Sequence, residues 1–242
     1  MHQKIGIIGN GYWGNKILSK LNPGAVKFIS SNPAEYYYLI DKVDWVAVAS
    51  PENTHFEIVK KSLLLGKNVF CEKPLALKYS EYCYLYDLAD RQGVSLYVDD
   101  VFSYGDSEFE FKLTNKVTWL KSSHRVKTHA ADLLFRLAYH DIYLLYPYLK
   151  EFELIELKNE STSSVLKWTS FHEEGVTVSF EYDDSSNNVL HEINGHAIGG
   201  HASEDPLKKM LLKVLNFDVD FQCNKLSTLF VGGYLDKVKE IV

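Results

Sequence analysis

The stretch IGIIGNGYWG, residues 5–14, decides the fold. Gly9, Gly11 and Gly14 stand in G-x-G-x-x-G spacing, directly after an apolar strand and at the start of the helical pattern YWGNKILSKL. The first glycine permits a tight turn, the second lets a pyrophosphate approach the backbone, and the third lets the helix pack closely on the strand. A diphosphate then rests on the helix N-terminus, where amide groups and the helix dipole favour an anion. This strand-turn-helix setting predicts a dinucleotide fold with Gly9, Asn10, Gly11, Tyr12, Trp13 and Gly14 around the phosphates. The plainer alternative is a glycine-rich turn that has lost its ligand.

Working outward, the first hundred residues alternate short apolar strands with helical patterns. KIGIIG, AVKFIS, DWVAVAS, NVFC and SLYVDD read as strands. PAEYYYLI, Thr54–Leu65 and SEYCYLYDLADRQ read as helices. Thr54 and Glu57 form a capping-box pair, and Gly66 and Gly93 stand where helices stop. Such alternation predicts a doubly wound parallel sheet, an α/β Rossmann domain over residues 1–100. Past residue 100 the style changes. KVTWLKSS, FELIELK, SVLKWTSF, VTVSFEY and VLHEING alternate polar and apolar residues, while ADLLFRLAYHDIYLLYPYL and the tail from DPLKKMLLKVL onward are helical. This predicts an α+β domain over 101–242, with an open, mainly antiparallel sheet and helices on one face. The polar stretch DDSSNN reads as a hairpin turn.

Composition narrows the class. The chain has 242 residues, 46% hydrophobic and 24% charged, with net charge -6. That suffices for a sizeable core. No basic stripe occurs, which argues against nucleic acid and anionic membrane as partners. No apolar run reaches the roughly 20 residues of a membrane span, and the N-terminus lacks the pattern of a secretory leader. Cys71, Cys83 and Cys223 are odd in number and form no CxxC. They are expected to be reduced and mostly buried, in a cytoplasmic protein.

Chemistry-bearing residues gather where strands end. About 20 residues past the glycines an acid usually holds the ribose, or an arginine a 2′-phosphate. Phe28 to Asn32 supply neither, and Ser30, Ser31 and Asn32 serve either as weak ribose ligands or as turn residues before Pro33. NAD and NADP both stay open. Ser50, Pro51, Asn53 and His55 follow the third strand and line the expected crevice, or simply start a helix, with His55 a surface group. Glu72, Lys73 and Pro74 follow the fourth. Pro74 restricts Lys73 to an extended conformation. An ammonium held there can polarise a hydroxyl or carbonyl beside a nicotinamide, with Glu72 holding or screening it. A surface Lys-Pro turn is the bland reading.

GNGYWG followed by VDWVAVASPENTHFEIVKKSLLLGKNVFCEKPLAL resembles the glucose–fructose oxidoreductase and inositol dehydrogenase family, Gfo/Idh/MocA. YHDIYLLYPYL resembles that family's H-D-I-D-L helix. The resemblance implies a Rossmann domain followed by an open-sheet domain, NAD or NADP as cofactor, and a sugar or related hydroxyl as substrate. It implies that Lys73 is the EKP lysine near substrate and nicotinamide. It also implies that His140 is the general acid/base, with Asp141 beside it in the substrate pocket. Three departures stand out. Arg136 occupies the position, four residues before His140, where family members carry Asp. On a shared helix face it would lower the His140 pKa, or bind an anionic substrate group. KTHAADLL replaces a glycine-rich approach to that helix. Finally, one βα unit is missing between Leu21 and Asp44, so AVKFIS is a candidate for the family's third strand and the adenosine side is expected to be trimmed. A non-catalytic sensor of cofactor or sugar on the same scaffold is the alternative function.

Lesser signals complete the reading. His191, His196 and His201 recur every five residues, a spacing that suits no metal site. His124, Arg125, Lys127 and His129 form a basic stretch that reads as a solvated strand end or as pocket lining. The tyrosine-rich helices read as packing faces. The alternating strands leave an open sheet face, and the family resemblance implies that this face is buried against a second subunit in a homodimer or homotetramer.

Overall fold

The computed structural model describes residues 3–104, 116–122, 133–162, 165–183, 190–197 and 205–242. They form two compact units: Met1–Tyr104 with Glu204–Leu229, and Gly105–Ser203 with Phe230–Val242. This differs from a single division at residue 100, because a stretch of the C-terminal tail folds into the first unit.

The first unit holds five parallel strands: β1 (Ile5–Ile8), β2 (Val26–Ser30), β3 (Trp45–Val48), β4 (Asn68–Cys71) and β5 (Leu96–Val98). Their order is β2-β1-β3-β4-β5. The winding direction reverses between β1 and β3, and ligands of open α/β sheets bind outside the carboxyl ends at such a point. Helix α1 (Tyr12–Lys20) buries Ile17 on one face of the sheet. Ile7, Trp45, Ala47, Phe70 and Tyr97 line that face. The same core takes Leu207, Met210, Leu211 and Val214 from α6 (Pro206–Leu215). The tail helix joins because its apolar residues recur at helical spacing and need an apolar partner. α2 (Pro33–Leu39), α3 (His55–Leu64) and α4 (Tyr79–Gln92) complete the unit. Gly93 closes α4 in the left-handed conformation at φ 64°, which its lack of Cβ allows.

β2 pairs directly with β1, Ile7 opposite Ile29 and Ile8 opposite Ser30. AVKFIS is therefore the strand beside β1, not an outer third strand. In a six-stranded order of 3-2-1-4-5-6 the strand without a counterpart here is the outermost one. The expected capping box is also not made. A short 3₁₀ turn, Glu52–Thr54, precedes α3 and already places Thr54 in helical conformation. Its hydroxyl turns back to the Pro51 carbonyl at 2.6 Å, and Glu57 instead approaches Lys60 at 3.7 Å. Of the three cysteines only Cys71 is buried; Cys83 and Cys223 are exposed free thiols.

The second unit is a six-stranded sheet, order β11-β10-β6-β9-β8-β7. Its strands are β6 (Lys116–Ser122), β7 (Leu154–Asn159), β8 (Val165–His172), β9 (Thr177–Asp183), β10 (Leu190–Ile193) and β11 (His196–Ala197). β6 and β9 run parallel, and the other pairs antiparallel. Trp168, Phe180 and Tyr182 stack on the inner face, Trp168 to Phe180 at 4.6 Å. α5 (Tyr139–Leu149) buries Ile142, Leu145 and Leu149. From Phe230 on, α7 (Phe221–Lys239) also belongs to this unit and buries Val231, Leu235 and Val238. The other sheet face carries half-buried Lys167, Thr169, Phe171, Thr177, Ser179 and Glu181. The DDSSNN turn, apart from Asp183, lies outside the described residues.

β5 ends the first sheet, and its free edge is covered by a side chain. Asn224, on α7 within the first unit, accepts from the Val98 amide at 3.0 Å and donates to the Val98 carbonyl at 2.9 Å. The carboxamide completes the ladder as another strand would. Asn224→Ala leaves two buried backbone groups unpaired and should cost about 2–4 kcal/mol. Urea unfolding would read the loss, and faster exchange of the Val98 amide would locate it.

Candidate active site

The glycine loop joins β1 to α1, and each glycine has a distinct spatial reason. Gly9 has φ +116°, and a Cβ there would meet the Ala49 carbonyl oxygen at 2.3 Å. A Cβ on Gly14 would fall 1.7 Å from the Gly9 oxygen. Gly11 is the opposite case: a Cβ would meet nothing within 4 Å. It caps α1 with no side-chain bond to the helix amides, and the first turn carries no acid. The helix N-terminus is thus bare and open toward the carboxyl edge, which fits the diphosphate of a dinucleotide. The Asn10 amide donates to Ser31 Oγ at 2.8 Å, bracing the loop against the end of β2. Tyr12 and Trp13 are exposed, with the Lys16 ammonium 4.5 Å from the Trp13 ring centroid.

At the end of β2 the three candidate ribose ligands are engaged locally. Asn32 Oδ1 caps α2 through the Ala34 amide. Ser30 is buried and donates its hydroxyl to Glu35 Oε2 at 2.6 Å. Glu35 is the carboxylate at this edge. It is exposed, it lies in the first turn of α2, and its place about 20 residues past Gly14 fits the usual ribose acid. Scanning only the strand residues to Asn32 passes it by.

The β3 and β4 loops are pinned together by a residue expected at the surface. His55 is 1% exposed. Its Nδ1 lies 2.7 Å from the Pro74 carbonyl and its Nε2 2.8 Å from the Ser50 carbonyl. The helix start faces inward because α3 packs on the strands it connects. A neutral ring carries one N–H and donates to one of these carbonyls at a time. Burial holds the His55 pKa below its ordinary value, although both carbonyls favour the charged ring. Ser50 Oγ pairs with Thr54 Oγ1 at 2.7 Å, while Pro51 and Asn53 are exposed.

Lys73 is half-buried and is followed by a cis bond to Pro74. Glu72 is buried, and its amide donates to the Val48 carbonyl at 2.8 Å. Asp99, which follows β5, is buried in hydrogen-bonding contact with the Glu72 carboxyl. Burial, then the Asp99 charge, pushes Glu72 well above the usual carboxylate range, against the pull of Lys73. The sequence offered Glu72 as a holder of Lys73; Asp99 was unremarked, since nothing in linear order marks adjacent strand ends.

In the second unit His140 is nearly buried at the start of α5, its ring edge-on to Tyr139. Asp141 is fully buried and pairs with His191 Nε2 at 2.9 Å. That assigns His191 a partner and takes Asp141 into the core of the unit. Arg136 lies in a π-turn, Leu134–Ala138. Five-residue hydrogen bonding replaces the α spacing there, so residues 136 and 140 do not share the simple i, i+4 face expected of them. The Arg136 side chain, those of His196 and the β6 residues, and His124, Arg125, Lys127, His129 and His201 fall outside the described residues.

Residues 24–100 match the model of an oxidoreductase family with an NAD-binding Rossmann fold, Gfo/Idh/MocA. An uncharacterized oxidoreductase of Streptococcus pneumoniae is 30% identical over 120 residues, 42% of this chain and 33% of that protein. The chain thus spans a third or less of the curated relatives it matches. Among solved structures, UDP-N-acetylglucosamine 3-dehydrogenase of Acidithiobacillus ferrooxidans superposes with TM-score 0.82 at 15% identity, covering 100% of this chain and 98% of that one. The WlbA (WbpB) dehydrogenase of Thermus thermophilus, in complex with NAD and UDP-GlcNAcA, gives 0.75 at 17% identity, covering 96% and 94%. These likenesses show the fold. The family match itself is confined to residues 24–100, within the first unit.

The lowered His55 pKa has a direction that can be checked. Its contribution to stability is present above the unfolded value of about 6.5 and is lost as pH falls through the folded value. The protection factors of amides near Leu75 and Ala76, taken relative to the intrinsic exchange rate at each pH, should therefore fall as pH drops below about 6.5. His55→Gln should flatten that dependence. The buried His172 of the second unit, also lowered, should leave a residual fall in global stability.

Proposed function

We propose, from the match of residues 24–100 to the Gfo/Idh/MocA family model, that the chain is an NAD(P)-dependent oxidoreductase acting on a sugar or nucleotide-sugar hydroxyl or ketone. The observation that carries the reading is the glycine loop: a bare helix N-terminus with open space at Gly11, at the switch point of a parallel sheet. Solved structures of the same fold, one named for UDP-N-acetylglucosamine and one in complex with UDP-GlcNAcA, support the substrate class. Gly9 to Gly14 hold the diphosphate, and the Ser50–His55 loop lines the crevice. Lys73 stabilises the developing oxyanion. His140 takes the hydroxyl proton, or returns it when a ketone is reduced. The bound nicotinamide supplies the hydride acceptor or donor. The pairing of Lys73 with His140 rests on the family resemblance, since the two residues belong to different units. A cytoplasmic homodimer is the expected state. The half-buried outer sheet face of the second unit supports it, though Lys167, Thr169, Ser179 and Glu181 make that face more polar than a permanent interface usually is.

The cofactor form we read as NAD. Glu35 offers a carboxylate to a ribose diol and repels a 2′-phosphate. In titrations followed by Trp13 fluorescence, NADH should bind at least about tenfold more tightly than NADPH. Glu35→Ala should narrow the gap. Equal affinities in the unaltered protein would refute the assignment.

Turnover on a panel of sugars and nucleotide sugars tests the chemistry. Lys73→Ala and His140→Ala should each lower kcat by about 100- to 10,000-fold while NADH binding persists. Cofactor binding without turnover of any substrate would favour the alternative, a sensor of cofactor or sugar on this scaffold.

A further inference from the structure

Two buried carboxyl groups meet at the ends of adjacent strands. β4 and β5 run in register, Cys71 opposite Val98, and the Asp99 amide donates to the Cys71 carbonyl at 2.9 Å. The next residue on each strand is therefore an acid beside an acid: Glu72 at 6% exposure and Asp99 at 3%. Their side chains are in hydrogen-bonding contact. Two carboxylates repel, and each accepts but cannot donate. The contact requires a proton on one of them.

The surroundings are unequal. Asp99 Oδ1 accepts from the Val101 amide at 2.9 Å, and both Lys73 and Lys16 act on it. Glu72 is reached by the Lys73 ammonium and amide, but its Oε1 is buried with no hydrogen-bond partner among the described residues. A charged oxygen in that position would be costly, whereas a neutral acid is tolerated. The Cys71 thiol beside the pair is pushed far up by burial and by the two acids, so it stays neutral.

We propose that Glu72 and Asp99 hold one proton between them, Glu72 as the neutral acid and Asp99 as the carboxylate, and that the single negative charge makes Asp99 a positioning residue that keeps the Lys73 ammonium charged. The proposal deepens the reading of Lys73 as the group that stabilises an oxyanion, and it rests on that reading only for its purpose. A lysine that lost its proton would no longer offer a positive charge to a developing alkoxide. A second full carboxylate would instead hold the ammonium too strongly to turn toward a ligand.

The test reads Lys73 itself and needs no substrate. The extent of Lys73 acetylation by acetic anhydride, followed across pH by peptide mass spectrometry in the full chain, gives the midpoint at which its ammonium deprotonates. Asp99→Asn removes the charge and should move that midpoint down by about one pH unit or more. Glu72→Gln imitates the neutral acid, can donate to Asp99, and should leave the midpoint in place. Thermal unfolding of each variant checks that the fold is retained, and Asp99→Glu should restore the midpoint if Asp99→Asn loosens the site. A downward shift of equal size in Glu72→Gln would show both acids charged. An unchanged midpoint in Asp99→Asn would show that Asp99 does not govern Lys73. Either result overturns the proposal. Because the readout is independent of turnover, an inactive protein with the expected midpoints would count against the proposed reaction and not against the shared proton.

Discussion

The first unit depends on one close approach. α1 lies so near the end of β1 that a methyl group on Gly14 would sit within bonding distance of the Gly9 carbonyl oxygen. The approach fixes where the helix begins and which way its amides point. The cap residue, Gly11, brings no side chain to the helix amides, so the first turn stays unsatisfied and directed at the carboxyl edge. The Asn10–Ser31 bond then ties this loop to β2, and the Ala49 carbonyl facing Gly9 ties it to β3. A loop built to receive a diphosphate is thus also the point where three strand ends are registered against one another.

The remaining strand ends are joined by side chains as well as by backbone. His55 links the Ser50 and Pro74 carbonyls, Glu72 meets Asp99, and Asn224 closes the edge at Val98. Each such bond contributes only about 1 kcal/mol net. Their weight lies in what their loss would expose, because all the partners but the half-buried Ser50 are buried and water is not at hand to replace them. The carboxyl edge is held rigid at the height where Lys73 leaves the sheet. Rigid placement of a charge is what oxyanion stabilisation requires, since an ammonium that must reorganise during the reaction returns little of its interaction energy.

The elements of the fold were legible because their signals are local. Strand alternation, the glycine spacing, Gly66 and Gly93 each act within a few residues, and each held. Most of what failed was non-local. β2 was placed too far out because nothing in AVKFIS states which strand it will pair with. His55 read as a surface group because burial of a helix start depends on the packing of α3. The Thr54–Glu57 pair has the pattern of a capping box, but the preceding 3₁₀ turn moved the helix start and gave Thr54 another acceptor. Asp99 and Glu72 are 27 positions apart in the chain and adjacent only through strand pairing. Glu35 was within reach of a spacing rule and was passed over because the search stopped at the strand end.

Two sequence features had favoured a regulatory protein over an enzyme: a trimmed adenosine side and an arginine one helical turn from His140. The first loses force once β2 is seen to pair with β1. The strand beside the glycine loop is present, and its end carries Ser30, Ser31 and the Glu35 carboxylate; only an outer strand lacks a counterpart. The second relied on α-helical spacing, which the π-turn at Leu134–Ala138 does not keep. A π-turn carries an extra residue within an otherwise α-helical segment, and such insertions occur often at functional sites. With both objections weakened, the charge pattern around Lys73 becomes the stronger argument. A buried acid pair beside a lysine costs stability, because desolvating charges is expensive even when they are matched. A sensor that only recognised a cofactor's diphosphate would gain nothing from that expense at β4 and β5. A site that must present a fixed positive charge to an oxygen during reaction would.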